Sequence, residues 1–129
     1  DTAVTIRYTV ASNGSCAASS SDVTFTVNAF AGTATNTTPT TAICETATKT
    51  LTATPAGGTW SIVSGGGSIT GSVYTPANVT ADTAVTIRYT VASNGSCAAT
   101  SSDVTFTVNA FAGTANNTTP TTAICETAT

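Results

Sequence analysis

Residues 82–108 read DTAVTIRYTVASNGSCAATSSDVTFTV. Val85, Ile87, Tyr89 and Val91 alternate with Thr86, Arg88 and Thr90, the period-2 pattern of a strand that turns one face to a core. Asn94-Gly95 follows, the strongest short-range signal for a tight hairpin. Beyond it Val104, Phe106 and Val108 repeat the alternation on a return strand. The stretch predicts two long strands with seven apolar side chains on one face. With Asn94-Gly95 as the turn, Cys97 is expected opposite Ala92, on the face away from Val91.

The same text occurs earlier in the chain. Residues 1–48 and 82–129 match at an offset of 81, with Ser19 replaced by Thr100 and Thr35 by Asn116. Many sequences satisfy one core, so near-identity over this length reflects duplication rather than folding constraint. A fixed period is the mark of a tandem array, and 81 residues suit one small domain. The expected organisation is residues 1–35 as the C-terminal strands of one repeat, 36–116 as a complete repeat, and 117–129 as the first-strand region of the next. The sequence reads as a window on a longer array.

Composition narrows the classes of function. Charged residues are 7% of the chain and the net charge is −3, against about 25% charged in ordinary globular proteins. With 40% apolar residues, this is not the highly charged, apolar-poor profile of disorder. Arg7, Lys49 and Arg88 are the only cations, too few and too scattered to neutralise a phosphate backbone, so nucleic acid is excluded as a partner. No apolar run approaches the roughly 18 residues of a membrane helix, so no membrane insertion is expected in this segment. There is no His, and nothing else would activate the many Ser and Thr hydroxyls in the usual way. Glu45, Asp82 and Asp103 are expected in turns or facing solvent. No enzyme activity, cofactor or metal site is expected.

The rest of the period reads as short strands between turns. Asn36 to Thr40 is expected as a polar link. Strands are expected over Thr41 to Cys44, over Lys49 to Thr54 with Leu51 and Ala53 inward, and over Thr59 to Val63 around Trp60. Two further short strands are expected at Ile69 and at Val73-Tyr74. With the two long strands, this gives seven strands and one Trp, the pattern of an immunoglobulin-like β-sandwich. The fold class expected is therefore all-β, a tandem array of such sandwiches.

A fuller pattern runs Ile43-Cys44, Leu51-Thr52-Ala53, Gly58-Thr59-Trp60-Ser61, Tyr74-Thr75-Pro76, Tyr89-Thr90-Val91, Asn94-Gly95-Ser96-Cys97 and Phe106-Thr107-Val108. It resembles the PKD-like and immunoglobulin-like tandem repeats of very large Bacteroidota surface proteins, including gliding adhesins. The resemblance spans the whole period. It implies a secreted protein at a bacterial cell surface, a stalk or adhesin, and it brings no catalytic residue with it. One departure is plain: Leu51 and Val91 stand where the inter-sheet disulfide of immunoglobulin domains would have cysteines. The resemblance also makes Thr2 and Thr83 candidate O-glycosylation sites, because Asp1-Thr2-Ala3 and Asp82-Thr83-Ala84 fit the Asp-Ser/Thr-aliphatic pattern used in that lineage.

The cysteines are Cys16, Cys44, Cys97 and Cys125, and paired cysteines in a small Thr-rich β domain fit an oxidising, extracellular compartment. In a sandwich, Cys44 and Cys97 fall at opposite ends, beyond the roughly 7 Å between Cα atoms that a disulfide spans. Stacked head to tail, however, one copy brings its Cys44 end against the hairpin of the next. The expectation is a disulfide between adjacent repeats, from Cys44 to the hairpin cysteine of the following copy and from Cys97 to a cysteine of the preceding one. Cys16 and Cys125 are their equivalents. A Cys44–Cys97 bond within one repeat, or free thiols, are the alternatives.

Lys49 carries one more reading. It lies at the same end as Asn109, with Glu45 near, the residue types of an intramolecular isopeptide bond. The simpler expectation is a Lys whose stem lies along the sandwich edge with its ammonium in water. The function expected is structural: an extracellular stalk or fibre, extending to a filament, whose partners are neighbouring repeats or identical chains. The alternative is an adhesin repeat that binds glycans through avidity.

Overall fold

The computed structural model describes residues 1–118. Its regular elements are all strands: β1 (Thr2–Val10), β2 (Ser19–Val27), β3 (Thr35–Asn36), β4 (Ile43–Cys44), β5 (Lys49–Thr50), β6 (Ala53–Thr54), β7 (Thr59–Ser64), β8 (Ser68–Thr70), β9 (Val73–Thr75), β10 (Thr83–Val91) and β11 (Thr100–Asn109). The architecture is all-β and sandwich-like, preceded by a hairpin.

β10 and β11 pair antiparallel, with Thr83 opposite Val108 and Val91 opposite Thr100. They are the centre of a four-stranded sheet ordered β4-β11-β10-β7, in which β7 is antiparallel to β10 and β4 parallel to β11. A three-stranded sheet, β5-β9-β8, and the pair β3-β6 complete the unit. The alternation in β10 and β11 sets the core. Val85, Ile87, Phe106 and Val108 pack with Leu51 and Tyr74 from the other side. Tyr74 meets Phe106 edge-on at 5.5 Å. Tyr89 and Val91 join Ala34 in a second cluster, and half-buried Trp60 packs against both, its ring 4.6 Å from that of Tyr89. The Tyr89 hydroxyl donates to the Pro55 carbonyl at 2.5 Å and accepts from the Gly58 amide at 2.7 Å. The buried phenol is thereby satisfied and pins the turn between β6 and β7.

Four expectations need correction. The hairpin turn is centred one residue later than Asn94-Gly95: Asn94 bridges Cys97, so Gly95-Ser96 is the turn, with Gly95 at φ +54°. The strand pairs set this register, and a Gly at the first turn position suits a type II′ connection. Cys97 therefore faces Asn94, not Ala92. The expected strand Lys49 to Thr54 is two strands, because β5 pairs with β9 and β6 with β3; the chain changes sheet where Leu51 enters the core. The expected strand Thr41 to Cys44 shrinks to Ile43–Cys44. The stretch read as a polar link is part of the sandwich. Thr35–Asn36 pairs with β6, and Ala34 and Thr38 are buried. Polar text can be buried there because its groups are bonded: the Asn36 amide donates to Ile87 O at 3.1 Å and its carbonyl accepts from Thr38 N at 3.1 Å.

The N-terminal hairpin carries the same strand text and the same pairing, with Thr2 opposite Val27 and Val10 opposite Ser19. Its surroundings differ. β1 and β2 form a sheet of two strands; Tyr8 is 73% exposed where its counterpart Tyr89 is 3% exposed. Ile6, Val23 and Phe25 are likewise exposed.

Candidate functional site

The site with the richest chemistry is the joint where the tip of the β10–β11 hairpin meets the open end of the β1–β2 hairpin. Asp1, Asn28 and Ala29 lie at that open end, because β1 begins and β2 finishes there. Asn94, Gly95, Ser96 and Cys97 form the tip. The Asp1 carboxylate accepts from the Ala29 amide and from the Asn94 side-chain amide, each at 2.8 Å, through Oδ1. Asn94 also donates to the Ala29 carbonyl at 2.9 Å. The Asn28 side-chain oxygen accepts from the Ser96 amide at 3.1 Å and from the Ser96 hydroxyl at 3.2 Å. The Cys97 thiol points to the Asn28 carbonyl, with Sγ at 3.6 Å. Gly95 lies against the Asn28 side chain, which would overlap a Cβ placed there. Its positive φ favours glycine, and a Cβ there would displace the Asn28 side chain from its contacts.

The chain between the two units is bonded as well. The Thr100 hydroxyl donates to Gly32 O at 3.0 Å and accepts from Ala34 N at 2.8 Å. Residues 28–34 thus run along the sandwich, tied at both ends.

Each half of the joint has a counterpart in the molecule that makes different contacts. At the far end of the sandwich, Asp82 accepts from the Ala110 amide at 3.0 Å, as Asp1 does from Ala29, but Asn109 turns its amide onto Asp82 at 2.8 Å. At the tip of the first hairpin, Asn13 bridges Cys16 as Asn94 bridges Cys97, and a Cβ at Gly14 would meet nothing within 4 Å. Cys16 is exposed where Cys97 is half-buried.

Cys16, Cys44 and Cys97 are free thiols, so no disulfide joins them; Cys125 lies outside the described residues. Cys97 stands at the tip end of β11, and Cys44 pairs with Asn109 at its other end. The ten residues of β11 separate them by about 30 Å at roughly 3.3 Å per residue. The Thr46 hydroxyl lies 3.2 Å from Cys44 Sγ, and it, with the Thr46 amide, holds the Cys44 thiol below its ordinary pKa.

Thr2 is exposed at the start of β1. Thr83 is half-buried and its hydroxyl donates to Ala81 O at 2.9 Å. Lys49 does not reach water as expected. It is buried, with Nζ 2.7 Å from Thr41 O and 4.6 Å from the centre of the Phe106 ring, and burial lowers its pKa. Glu45 accepts from Val79 N at 2.6 Å and Asn109 is held by Asp82, so the three isopeptide residue types are bonded to three different partners.

The structure describes an all-β, sandwich-like chain with a polar joint between its two units, and among the described residues no helix is long and apolar enough to cross a membrane. The chain matches no protein-family model, no curated protein and no solved structure.

The sequence pointed to the Asn94-Gly95 turn and to Cys97, but it gave no sign that Asp1, Asn28 and Ala29 receive them. Those residues lie 65 to 93 positions away, and short polar side chains in turns read as ordinary turn chemistry. The one usable signal was the repeat itself, from which copies are expected to meet end to end.

Proposed function

We propose that this chain is a segment of a structural tandem-repeat protein, an array of immunoglobulin-like sandwiches that forms an extracellular stalk or fibre at a cell surface and extends to a filament. The observation that carries the reading is the joint. Five hydrogen bonds tie the hairpin tip to the open strand ends before it, and the intervening residues are bonded along the sandwich. A flexible linker would have left the two units free to tumble; this connection favours a fixed axis.

Three further points support it. The sheet order β4-β11-β10-β7 opposite β5-β9-β8 fits an immunoglobulin-like arrangement with a Trp on β7. The exposed apolar face of the first hairpin has the residues of a face that is buried in the sandwich, which fits a strand pair belonging to another copy of the domain. A surface poor in charge and rich in Thr, together with the family resemblance of the motifs, fits an extracellular setting. In such a stalk the copies act through their number, and stability is a sum of repeat and interface contributions. Disulfides between neighbours would staple it.

The test is length against copy number. Chains with increasing numbers of the period, studied by small-angle scattering and electron microscopy, should lengthen by a constant increment per copy. Growth as the square root of copy number, the law for a flexible chain, would overturn the reading. Antibody labelling of intact cells tests the location.

A further inference from the structure

The two ends of the sandwich complement each other, and the molecule records both the joined and the unjoined form of that complement. At the joined end the receiving residues are Asp1, Asn28 and Ala29. At the other end stand the same residue types at the same strand positions, Asp82, Asn109 and Ala110. The Asp-to-Ala amide bond is common to both. The asparagine differs: Asn28 accepts from the hairpin backbone at Ser96, while Asn109 donates to Asp82. A rotation of one side chain separates the two arrangements. Asn109 therefore has a local partner that docking would exchange for a hairpin amide.

Cys44 lies beside this second set. β4 runs parallel to β11 with Cys44 opposite Asn109, and the amide of the next residue, Glu45, donates to Asn109 O at 3.0 Å. At the joined end the same carbonyl, that of Asn28, is where the Cys97 thiol rests. Two cysteines thus address one backbone position from two directions. Paired strands lie about 4.8 Å apart, and a disulfide needs Cα atoms about 4.4–6.8 Å apart.

We propose that Asp82, Asn109, Ala110 and Cys44 form a socket for the Asn-Gly-Ser-Cys hairpin of a following copy, and that docking sets Cys44 against that hairpin's cysteine to form a disulfide across the joint. The inference rests on the array reading above and specifies its joint. The glycine suits this docking twice: its φ of +54° is strained for other residues, and a Cβ there would push the asparagine side chain out of its place. The covalent step is thiol–disulfide exchange. One thiolate attacks an external disulfide and releases one thiol; the second thiolate then displaces the other. Two cysteine S–H bonds are lost, one S–S bond forms, and the external disulfide leaves as two thiols carrying the protons and electrons. The lowered pKa of Cys44 favours it as the first attacker.

The experiment uses the full chain continued after Thr129 by a second stretch of residues 49–129, which supplies the following copy. One variant carries Cys16→Ser, Cys97→Ser and Cys125→Ser, with serine also at the appended copy of Cys125, and keeps only Cys44 and the appended hairpin cysteine. A second keeps only Cys97 and Cys125. Each is incubated with oxidised glutathione, and its free thiols are titrated. The expected result is loss of both thiols and of about 2 Da in the first variant, with both thiols retained in the second. Two free or separately glutathionylated thiols in the first variant would overturn the staple, as would bond formation in the second. Scattering from the first variant under reductant separates this from the array itself: an extended, docked pair whose thiols still fail to join on oxidation sinks the disulfide alone, whereas a flexible pair sinks the array reading.

Discussion

Tyr89 and Asp103 show how much single residues contribute in a chain with so few polar anchors. The Tyr89 hydroxyl serves two backbone groups of the turn before β7, and without it Pro55 O and Gly58 N lose their partner. Tyr89→Phe should destabilise the sandwich by about 1–3 kcal/mol, read as a lower denaturant midpoint with an unchanged slope. Asp103 pairs with Arg88 at 2.7 Å, and the Arg88 hydrogen bond holds its carboxyl below the ordinary value of 3.8. A carboxylate with a lowered folded pKa gives stability that is present above the unfolded value and is lost as pH falls through the folded one. Thermal unfolding followed from about pH 6 to about pH 2 should show a shallower acid loss for Asp103→Asn than for the parent. An identical acid profile would mean that this exposed pair contributes nothing.

β1–β2 and β10–β11 offer an internal control at the level of the element. Their strands carry the same residues apart from Ser19 and Thr100, and their pairing registers correspond throughout. Propensity and cross-strand pairs are therefore matched, including Arg7–Asp22 and Arg88–Asp103 at 2.7 Å each. What differs is the tertiary setting: β10–β11 is flanked by β7 and β4 and its apolar face is covered, whereas β1–β2 has neither. A two-stranded hairpin is marginal alone in water, and protection of amides follows the cost of opening. In the 129-residue chain, amides of residues 2–27 should exchange at least about a hundredfold faster than those of residues 83–108. Equal protection would show that pairing within the hairpin, not the flanking strands and packing, holds both. The same contrast shows how legible the elements were. The long strands were readable because alternation over nine or ten residues is a strong signal. The two-residue strands were not, because β3, β5 and β6 owe their pairing to partners far away in sequence rather than to any pattern of their own.

For the whole molecule, the joint decides whether the chain is a rod or a string. Asn28 lies outside the sandwich core yet accepts two hydrogen bonds from Ser96. Asn28→Ala should leave the unfolding of the sandwich unchanged while broadening the distribution of hairpin-to-sandwich angles in scattering or spin-label distance measurements. A distance distribution as narrow as the parent's would place the rigidity in the covalent path through residues 28–34 instead. In the array proposed above, the effect should grow with copy number, since small angular freedom at each joint accumulates.

The sequence alone determined the all-β class, the inward face of the two long strands and the hairpin between them, because alternation and turn chemistry act between near neighbours. It also carried the duplication, and with it the expectation that copies meet end to end. Tertiary structure alone decided that Gly95-Ser96 is the turn, that the polar stretch at Thr35–Asn36 is a strand of the sandwich, that Lys49 is buried, and that Asp1 and Asn28 hold the hairpin tip. Each of these depends on hydrogen bonds and packing between residues distant in the chain, where a short polar side chain looks the same whether it faces water or fastens two domains.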